Sequence, residues 1–416
     1  MTGQADYGWY GDDFTGATDT LATLAERGYR AMLFLDIPDA AQLQAAGPLD
    51  AIGIAGATRS MPPDRIAGEL DRAGRLFADR RVRLIHYKCC STFDSSPRIG
   101  SIGAAVAALR PYASNPLLPI IGGQPNLGRY CLFGQLFAAA GSGGMVHRID
   151  RHPTMSRHPV TPMAEADLRL HLAAQGLSPI ALVDYRGDGS AREPTGTVLF
   201  DVAQEGDLDT IGRAMAKRLD DGPMLAIGAS SVARAYASAM PAREVSALTS
   251  LPAADGPVLA LVGSLSPVTS AQVEAATAYR RLAIDPHRLL GEQAYSAALA
   301  AEARAQLGSS EPLMLITDRI DEAPHAPADV AAATGRLLRD ILTEIRPGRL
   351  VVAGGDTSTL AIRALDCWGL SYLAPCVAGA PLCRIHADGR LDGLEVVLKG
   401  GQMGPPSFFD RVAETV

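Results

Sequence analysis

Residues 11–17 read Gly-Asp-Asp-Phe-Thr-Gly-Ala, and this stretch decides what kind of fold the chain adopts. It follows a short apolar run, Tyr7 to Tyr10, and precedes a helix-like segment, Thr18 to Arg27. A strand, a tight turn and a helix begin a βαβ unit, and ligands bind such folds where the strands end. Two adjacent aspartates are costly to bury without partners. Asp12 and Asp13 therefore indicate a binding site, with simple capping of the helix by one of them as the alternative.

The rest of the chain continues the alternation of apolar runs and amphipathic segments that is typical of α/β folds. Strands are predicted at Ala31–Leu35, Ala51–Ala55, Val82–Tyr87, Leu117–Ile121, Val258–Val262, Leu313–Ile316, Leu350–Ala353 and Leu394–Leu398. Helices are predicted at Pro63–Ala78, Ile99–Leu109, Ser270–Ala278, Asp329–Ile345 and Ser358–Leu365. The predicted architecture is two α/β domains with βαβ-type sheets, residues 1–242 and 257–416. An Ala-, Pro- and Ser-rich linker at 243–256 joins them, and a cleft is expected between the domains.

Length and composition fit this architecture. The 416 residues are too many for one ordinary domain and enough for two domains that each bury a core. The net charge of -7, without a basic block, argues against nucleic-acid and membrane partners. A phosphate-bearing ligand stays compatible, because backbone amides bind phosphate locally. The N-terminus lacks a secretory pattern and no apolar run is long enough to span a bilayer, so a cytoplasmic protein is expected.

The cysteines do not indicate a metal site. The chain has six, at Cys89, Cys90, Cys131, Cys367, Cys376 and Cys383. They show neither paired Cys-x-x-Cys spacing nor clustering with histidine, so no structural zinc is expected. In a cytosolic chain they are most simply free thiols, and no metal ligands are assigned on the chain.

Two polar clusters follow strands of the first domain. The stretch 88–95, Lys-Cys-Cys-Ser-Thr-Phe-Asp-Ser, combines a lysine with hydroxyls and a carboxylate directly after a strand. Such groups bind a carboxylate and several sugar hydroxyls. Arg59, after an earlier strand, suits an anion. The alternative is that Lys88 is a solvated charge at the sheet edge and that Ser91 and Thr92 begin a helix.

A third cluster contains His158 and Thr161. Pro159 and Pro162 fix the backbone around them, so both side chains are expected to be held in place. A lone loop histidine is more often structural, but the basic stretch 147–152 nearby favours a polar pocket. Metal ligation is not implied, because acidic ligands are missing beside the histidine.

The second domain has a glycine-containing turn after each of three strands. The turns are Gly263–Pro267, Gly354–Thr359 and Lys399–Gly404. Glycines let backbone amides approach an anion, and a helix N-terminus favours negative charge there. Asp356 suits a magnesium ion or a hydroxyl, and Thr357 suits a phosphate. One such turn is weak evidence, but three in one domain, without Walker or dinucleotide spacing, indicate a nucleotide site of another kind.

Together these motifs resemble the four-carbon acid sugar kinase family. The matching stretches are Asp12–Ala17, Lys88–Ser95, His158–Met163, Gly263–Ser264, Gly354–Thr357 and Lys399–Gly401. The resemblance implies an N-terminal domain that binds a sugar acid and a C-terminal domain that binds ATP, with substrate and nucleotide in the cleft between the domains. It also implies phosphorylation of a terminal hydroxyl on a tetronate, a 3-oxo-tetronate or the branched 3-oxo-isoapionate. Two stretches, Gly128–Gly134 and His152–Arg157, depart from the pattern of tetronate kinases and leave the choice of acid open.

Each candidate residue then has an expected role. The sugar acid would be bound by Asp12, Asp13, Arg59, Lys88, Ser91, Asp94, His158 and Thr161, with Lys88 or Arg59 on its carboxylate. ATP would be bound by Ser264, Gly354, Gly355, Asp356, Thr357, Gly400 and Gly401, with Mg²⁺ neutralising its phosphates. Asp13 and Asp356 are the two candidates for the catalytic base. The sequence leaves the oligomeric state open, and a homodimer is compatible with it.

Three other functions fit less of the sequence. A magnesium-dependent phosphatase with an aspartyl nucleophile has its aspartates two apart, whereas Asp12 and Asp13 are adjacent. A sugar-acid-binding protein without catalysis would need no glycine turns in its second domain. A dehydrogenase would carry the Gly-x-Gly-x-x-Gly fingerprint after its first strand, and this chain does not.

Overall fold

The structure is a computed structural model that describes residues 5–141, 143–158, 160–186, 194–245, 247–264, 266–318 and 326–414. It divides into two compact units, Met1–Ser246 and Ala247–Val416. Both units combine helices with largely parallel strands, which confirms the predicted α/β class. The exact linker boundaries and the cleft site stay predictions. None of the helices in the described part of the chain has the length and apolar character that crossing a membrane requires.

The first unit alternates strands and helices from its start. Its strands are β1 (Tyr7–Gly11), β2 (Ala31–Phe34), β3 (Ala51–Ala55), β4 (Leu84–Lys88), β5 (Leu117–Ile121), β6 (Arg129–Leu132), β7 (Gln135–Ala139), β8 (Val146–Arg148), β9 (Ala181–Val183), β10 (Gly196–Phe200) and β11 (Met224–Gly228). Its helices are α1 (Phe14–Ala25), α2 (Ala40–Ala46), α3 (Pro63–Asp79), α4 (Ile102–Leu109), α5 (Leu168–Ala173), α6 (Glu205–Ala216) and α7 (Ser231–Ala239).

Eight of these strands pair in parallel in the order β2-β3-β1-β4-β11-β5-β10-β9. The strands β1, β3, β4, β5 and β11 are buried along their whole length, as expected for parallel strands covered on both faces. After β1 the chain continues to β2 and β3 on one side of the sheet, and after β4 it continues to β5 on the other side. The carboxyl ends of β1 and β4 therefore form the topological switch point, where α/β sheets bind ligands.

A separate antiparallel sheet of β6, β7 and β8 was not predicted from the sequence. Its first turn, at Phe133 and Gly134, is held by the Asp201 carboxylate, which accepts hydrogen bonds from both backbone amides. Phe133 has a φ of 54°, a conformation that bulky residues rarely adopt. A two-residue hairpin turn usually carries Asn-Gly, whereas this turn carries Phe-Gly. The hairpin is for that reason not recognisable from the sequence.

The second unit has its own strands and helices. The strands are β12 (Val258–Val262), β13 (Arg280–Ile284), β14 (Leu313–Thr317), β15 (Arg349–Ala353), β16 (Gly369–Val377), β17 (Ala380–His386) and β18 (Glu395–Lys399). The helices are α8 (Pro267–Ala275), α9 (Pro286–Gly291), α10 (Gln293–Leu307), α11 (Pro327–Leu342), α12 (Gly355–Ala364) and α13 (Phe408–Val412).

The strand order in this unit is β13-β14-β12-β15-β18-β17-β16. The first five run parallel, whereas β17 pairs antiparallel with both of its neighbours. A continuous apolar core packs residues of β12, β15 and β18 against Phe408 and Phe409 of α13. The three strands that precede the glycine turns, β12, β15 and β18, are thus direct neighbours on one rigid core.

The predicted elements agree with the observed ones in type, and their ends differ by a few residues. The strands Ala51–Ala55, Leu117–Ile121 and Val258–Val262 are as predicted. The helix predicted from Thr18 begins at Phe14, because Asp13 caps it. The alternative in which Ser91 and Thr92 begin a helix is wrong, since the next helix after β4 begins at Ile102.

A buried carboxylate directly before β3 forms two ion pairs whose contribution to stability can be measured. Asp50 accepts hydrogen bonds from Arg30 Nη2 at 2.8 Å and pairs with Arg243 Nη1 at 3.0 Å. Burial alone would raise the pKa of Asp50, but the hydrogen bonds from Arg30 lower it to about 2. Because this is below the usual value of about 3.9, the ionised carboxylate stabilises the fold above about pH 4. The contribution is lost as the pH falls toward 2.

We expect Asp50→Asn to lower the free energy of unfolding at pH 7 by about 1 kcal/mol, a modest value because Arg30 is mostly exposed and screened. Urea unfolding at pH 7 and at pH 3 measures this loss, which should shrink at the lower pH. The matched control is Asp36→Asn, because Asp36 pairs with Arg72 on the exposed surface. Equal losses in the two variants would contradict the prediction.

Candidate functional site

Three predicted residues meet at the switch point of the first unit. Asp12 and Asp13 follow β1, and Arg59 follows the neighbouring strand β3. Arg59 donates two parallel hydrogen bonds to Asp12, from Nη2 to Oδ1 at 2.7 Å and from Nε to Oδ2 at 3.0 Å. Its Nη1 donates to Asp13 Oδ2 at 2.8 Å. The guanidinium therefore pairs with both adjacent carboxylates, which lowers the cost of burying them in this turn.

Asp13 also caps α1. Its Oδ1 accepts from the Gly16 backbone amide at 2.8 Å and its Oδ2 from Thr15 Oγ1 at 2.8 Å. The helix-capping alternative is thus correct for Asp13, and the same carboxylate pairs with Arg59. The cap of α1 and the pairing with Arg59 together fix the orientation of the Asp13 side chain.

Lys88 ends β4 and lies beside this cluster. It is 3% exposed, so the alternative of a solvated edge charge is wrong. Its Nζ donates to the Cys89 carbonyl at 2.8 Å, and its own carbonyl accepts from the Asp12 amide at 2.9 Å. A Cβ added at Gly16 would lie 2.5 Å from Lys88 Nζ and 2.6 Å from Asp13 Oδ1. The glycine therefore provides the room in which the ammonium approaches the carboxylate.

The two aspartates differ in acidity. Burial raises the pKa of Asp12, although Arg59 opposes the change. Burial would likewise raise the pKa of Asp13, but Arg59 and Lys88 together hold it below its usual value. At neutral pH Asp13 is therefore ionised, whereas Asp12 is the stronger base of the two.

The structure brings Asp94 to the cluster and leaves His158 and Thr161 as a separate pair. Asp94 is buried, accepts from Thr92 Oγ1 and interacts electrostatically with Arg59. His158 Nδ1 lies 3.1 Å from both the amide and the hydroxyl of Thr161. Among the described residues no hydrogen bond joins this pair to the cluster, and Pro159 lies outside the described residues. Ser91 is buried in the same segment as Asp94, without a hydrogen bond that fixes a role.

The glycine turns of the second unit converge as the sequence predicts. Ser266 Oγ and Thr269 Oγ1 both donate to the Gly401 carbonyl, the latter at 3.0 Å. The Gly354 amide donates to the Lys399 carbonyl at 2.8 Å, and the Ser264 amide donates to the Ala353 carbonyl at 3.1 Å. The backbones that follow β12, β15 and β18 are therefore joined into one surface.

Gly354 has a φ of 129°, and a Cβ there would lie 2.9 Å from Thr357 Oγ1. Only glycine suits both the conformation and the space. Gly355 begins α12, whose first turn presents an exposed Asp356 and a buried Thr357. A helix N-terminus at a glycine turn offers backbone amides to phosphate oxygens.

The sequence pattern indicates Lys399 only as the start of a glycine turn. Its side chain is fully buried, and Nζ donates to Thr269 Oγ1 at 3.1 Å and to the Gly400 carbonyl at 3.0 Å. Among the described residues it forms no ion pair. Burial lowers the pKa of Lys399 to about 7. Its position in the sequence could have indicated a buried lysine at a binding site. Lys399, like Lys88, is the last residue of a largely buried strand and directly precedes a turn.

Comparison with known proteins agrees with the two kinds of site. A model described as a sugar-binding N-terminal domain matches residues 7–236, and one described as a nucleotide-binding C-terminal domain matches residues 259–409. The chain is 38% identical to a 3-oxo-isoapionate kinase of Paraburkholderia graminis, over 98% of this chain and 93% of the relative. The chain belongs to the four-carbon acid sugar kinase family. A second relative, a 3-oxo-tetronate kinase of Methylobacterium radiotolerans, is 31% identical to this family member over 98% of both chains.

Solved structures of similar fold cover the same length of this sugar-acid kinase. A Salmonella typhimurium protein described as a putative tRNA synthase superposes with a TM-score of 0.76 and 26% identity, over 98% of both chains. A Haemophilus influenzae protein of the DUF1537 family gives a TM-score of 0.70 at 23% identity, over 97% of this chain and 98% of the other. The second likeness concerns the fold alone.

Proposed function

We propose that this kinase transfers the γ-phosphoryl group of ATP to a terminal hydroxyl of a small sugar acid. The acid is a four-carbon tetronate or 3-oxo-tetronate, or the branched 3-oxo-isoapionate. The similarity to the Paraburkholderia graminis enzyme, at 38% identity, supports the branched acid as the first candidate. The single observation that carries the proposal is the cluster of Asp12, Asp13, Arg59 and Lys88 at the switch point.

The cluster suits a polyhydroxylated acid because it offers charge and hydrogen-bonding groups of both kinds. The ionised Asp13 accepts hydrogen bonds from hydroxyls, and the Lys88 ammonium donates to hydroxyl or oxo oxygens. Further contacts to the sugar acid are proposed for four other polar residues, Asp94, Ser91, His158 and Thr161. Arg59 is occupied by the two aspartates, so we assign it to holding them rather than to the substrate.

On the nucleotide side, Ser264, the Gly354–Thr357 turn and Gly400–Gly401 are proposed to bind the phosphates through backbone amides and hydroxyls. The described residues contain no group of three or more metal-ligating side chains. That fits Mg²⁺, which is usually held by phosphates, water and only one or two carboxylates. Asp356 is the carboxylate proposed for it, and the ion would neutralise charge on the phosphates.

Phosphoryl transfer depends mostly on position and charge, so the chain has little covalent chemistry to perform. Asp13 and Asp356 remain the proposed catalytic carboxylates. The lowered pKa of Asp13 makes it a weak base but a firm acceptor that orients the attacking hydroxyl. In a loose transition state the attacking hydroxyl loses its proton late, so a base as weak as Asp13 is sufficient to accept that proton.

A coupled assay of ADP release tests the proposal. The panel comprises tetronates, 3-oxo-tetronates and branched apionate derivatives, each with ATP and Mg²⁺. We expect ADP release with at least one acid, and the largest kcat/KM with 3-oxo-isoapionate. No ADP release from any acid would contradict the proposed function.

Lys88→Met tests the sugar-acid side of the site. Removing a buried ammonium that contacts the substrate should raise the KM for the acid roughly 10- to 100-fold and leave the KM for ATP within about twofold. Steady-state kinetics with each substrate varied in turn measures both values. The control is Lys217→Met, because Lys217 is exposed on the first unit and should leave both constants unchanged. A selective rise in the KM for ATP would contradict the assignment.

A further inference from the structure

Arg129, at the start of β6, is a buried guanidinium without an acidic partner. The residue is 8% exposed. Both hydrogen bonds that its side chain makes to described residues start at Nη1 and end on backbone carbonyls, those of Leu127 and Ala139. Its buried Nε has no partner. Among the described residues no aspartate or glutamate forms an ion pair with it.

An unpaired buried charge is expensive for a folded protein. Taking a guanidinium out of water costs several kcal/mol unless an opposite charge compensates for it, and a buried N–H without an acceptor adds to that cost. Burial accordingly lowers the pKa of Arg129. The buried arginine of the second unit shows the usual solution, because Arg349 pairs with Glu395 and donates to two backbone carbonyls. Arg129 lacks such a partner in the part of the chain that the structure describes, so a ligand is the natural source of one.

Electrostatic interaction with Cys90 links Arg129 to the sugar-acid cluster. The titratable groups that interact with it most strongly are Cys90 and Tyr130, and neither is a carboxylate. Cys90 in turn interacts electrostatically with Asp94, Arg59, Asp12 and Lys88, as a thiol whose pKa burial raises to about 11. A thiol of that acidity is neutral at pH 7 and does not compensate for the guanidinium.

The backbone of Arg129 is tied to the same edge of the sheet. Its amide and carbonyl both pair with Gln124, which follows the end of β5. The Gln124 side chain donates to Asp19 Oδ2 at 2.9 Å, and Asp19 belongs to α1, the helix that Asp13 caps. The guanidinium is therefore held on the scaffold that carries the cluster, rather than on a free loop.

We infer that Arg129 binds the carboxylate of the sugar-acid substrate, through the Nε side of its guanidinium. The inference rests on the proposed function and names the part of the substrate that this residue recognises. The Nε and Nη2 groups form one edge of the guanidinium fork, whose two parallel donors match the two oxygens of a carboxylate. Lys88 shares its charge with Asp13, and Arg59 is occupied by two aspartates, so Arg129 replaces both as the anchor for the acid group.

The test compares an acid with its neutral carboxamide. The acid of the panel that gives the highest kcat/KM and the carboxamide made from it are assayed with the wild type, Arg129→Gln and Arg129→Lys. We expect the wild type to prefer the acid at least about tenfold, and Arg129→Gln to lose that preference by raising the KM for the acid roughly 10- to 100-fold. Activity on the carboxamide and the KM for ATP should stay within about twofold. Arg129→Lys keeps the charge but not the fork, so it should fall between the two.

Two controls separate recognition from folding. Arg110 also donates from Nη1 to a backbone carbonyl, that of Asn115 at 2.9 Å, but it is exposed, so Arg110→Gln should keep the preference for the acid. Lys88→Met should weaken both substrates and keep their ratio. If Arg129→Gln fails to fold, the wild-type ratio and Arg129→Lys still decide.

Each outcome has a distinct meaning. A wild type that phosphorylates acid and carboxamide equally well overturns the assignment of Arg129. So does an Arg129→Gln variant that loses both activities in equal proportion, or one that raises only the KM for ATP. A wild type that releases no ADP with any acid contradicts the proposed function instead.

Discussion

Replacing Arg59 by methionine is expected to lower the Tm of the protein by roughly 10 °C and to abolish sugar-acid kinase activity. The variant leaves Asp12 and Asp13 adjacent and buried, and Lys88 offsets their charge only in part. Removing one partner of a buried ion pair costs about 3–5 kcal/mol, and the lower end applies because the Arg59 side chain is 25% exposed. Thermal unfolding followed by circular dichroism measures the shift.

The pH dependence of this variant follows from the same charges. Without Arg59, burial raises the pKa of both aspartates above that in the unfolded chain. The folded state then binds more protons than the unfolded state, so the variant should gain stability relative to the wild type as the pH falls from about 8 to about 5. A deficit that is constant across this range would show that charge is not its cause.

A double variant separates stability from activity. Asp12→Asn and Arg59→Met together leave the Asp13 carboxylate beside the Lys88 ammonium, so the two remaining buried charges offset each other, and Asp13 keeps the cap on α1. Most of the lost Tm should return, while kinase activity stays absent. The surface control is Arg72→Met, because Arg72 is half exposed and pairs with exposed Asp36. A Tm of Arg59→Met within about 2 °C of the wild type would refute the buried-pair argument.

The second large effect is expected at Lys399. Burial lowers its pKa to about 7, whereas an exposed lysine titrates near 10.4. Between these values the unfolded chain binds a proton that the folded chain does not, so the stability contribution rises with pH from about 7 to about 10. Nucleotide phosphates near the ammonium would favour its charged form and raise its pKa.

Lys399 is mostly neutral at pH 8 in the free protein, so binding of ADP at that pH should take up a substantial fraction of one proton per site. Isothermal titration calorimetry in two buffers of different ionisation enthalpy measures this uptake. In Lys399→Met the uptake should vanish, and the affinity for ADP should fall at least about tenfold because the charge opposite the phosphates is gone. Lys217→Met serves as the control, since an exposed lysine leaves both quantities unchanged. Equal proton uptake by the wild type and Lys399→Met would rule out this lysine as the source.

The sequence predicts the cluster of Asp12, Arg59 and Lys88 for a simple physical reason. Each residue follows a buried apolar run, and the carboxyl ends of neighbouring parallel strands share one edge of the sheet. The same reasoning predicts the three glycine turns after β12, β15 and β18. Where a strand lies and where it ends depend mainly on the residues of that segment, so both can be predicted from the sequence.

The state of each charge depends on partners far away in the sequence, and it was not predictable. The sequence indicates an anion site at Arg59, and the partners that Arg59 has in the structure lie 47 and 46 positions earlier. Arg129 stood in a stretch noted only for its departure from the tetronate kinases, because the missing partner becomes visible only when the surroundings are known. The antiparallel sheet of β6, β7 and β8 was missed since its first turn uses Phe133 where asparagine is usual.

The approach of Lys88 to Asp13 across Gly16 constrains how this chain can change over evolution. A methyl group at position 16 would meet two side chains at once, one of them 72 positions later in the sequence. Any larger residue there is acceptable only after both the lysine and the capping carboxylate have moved or been replaced. The three positions therefore have to change together, and a lineage that replaces the glycine first disturbs the electrostatic interaction of Lys88 with Asp13 before it can gain a substitute.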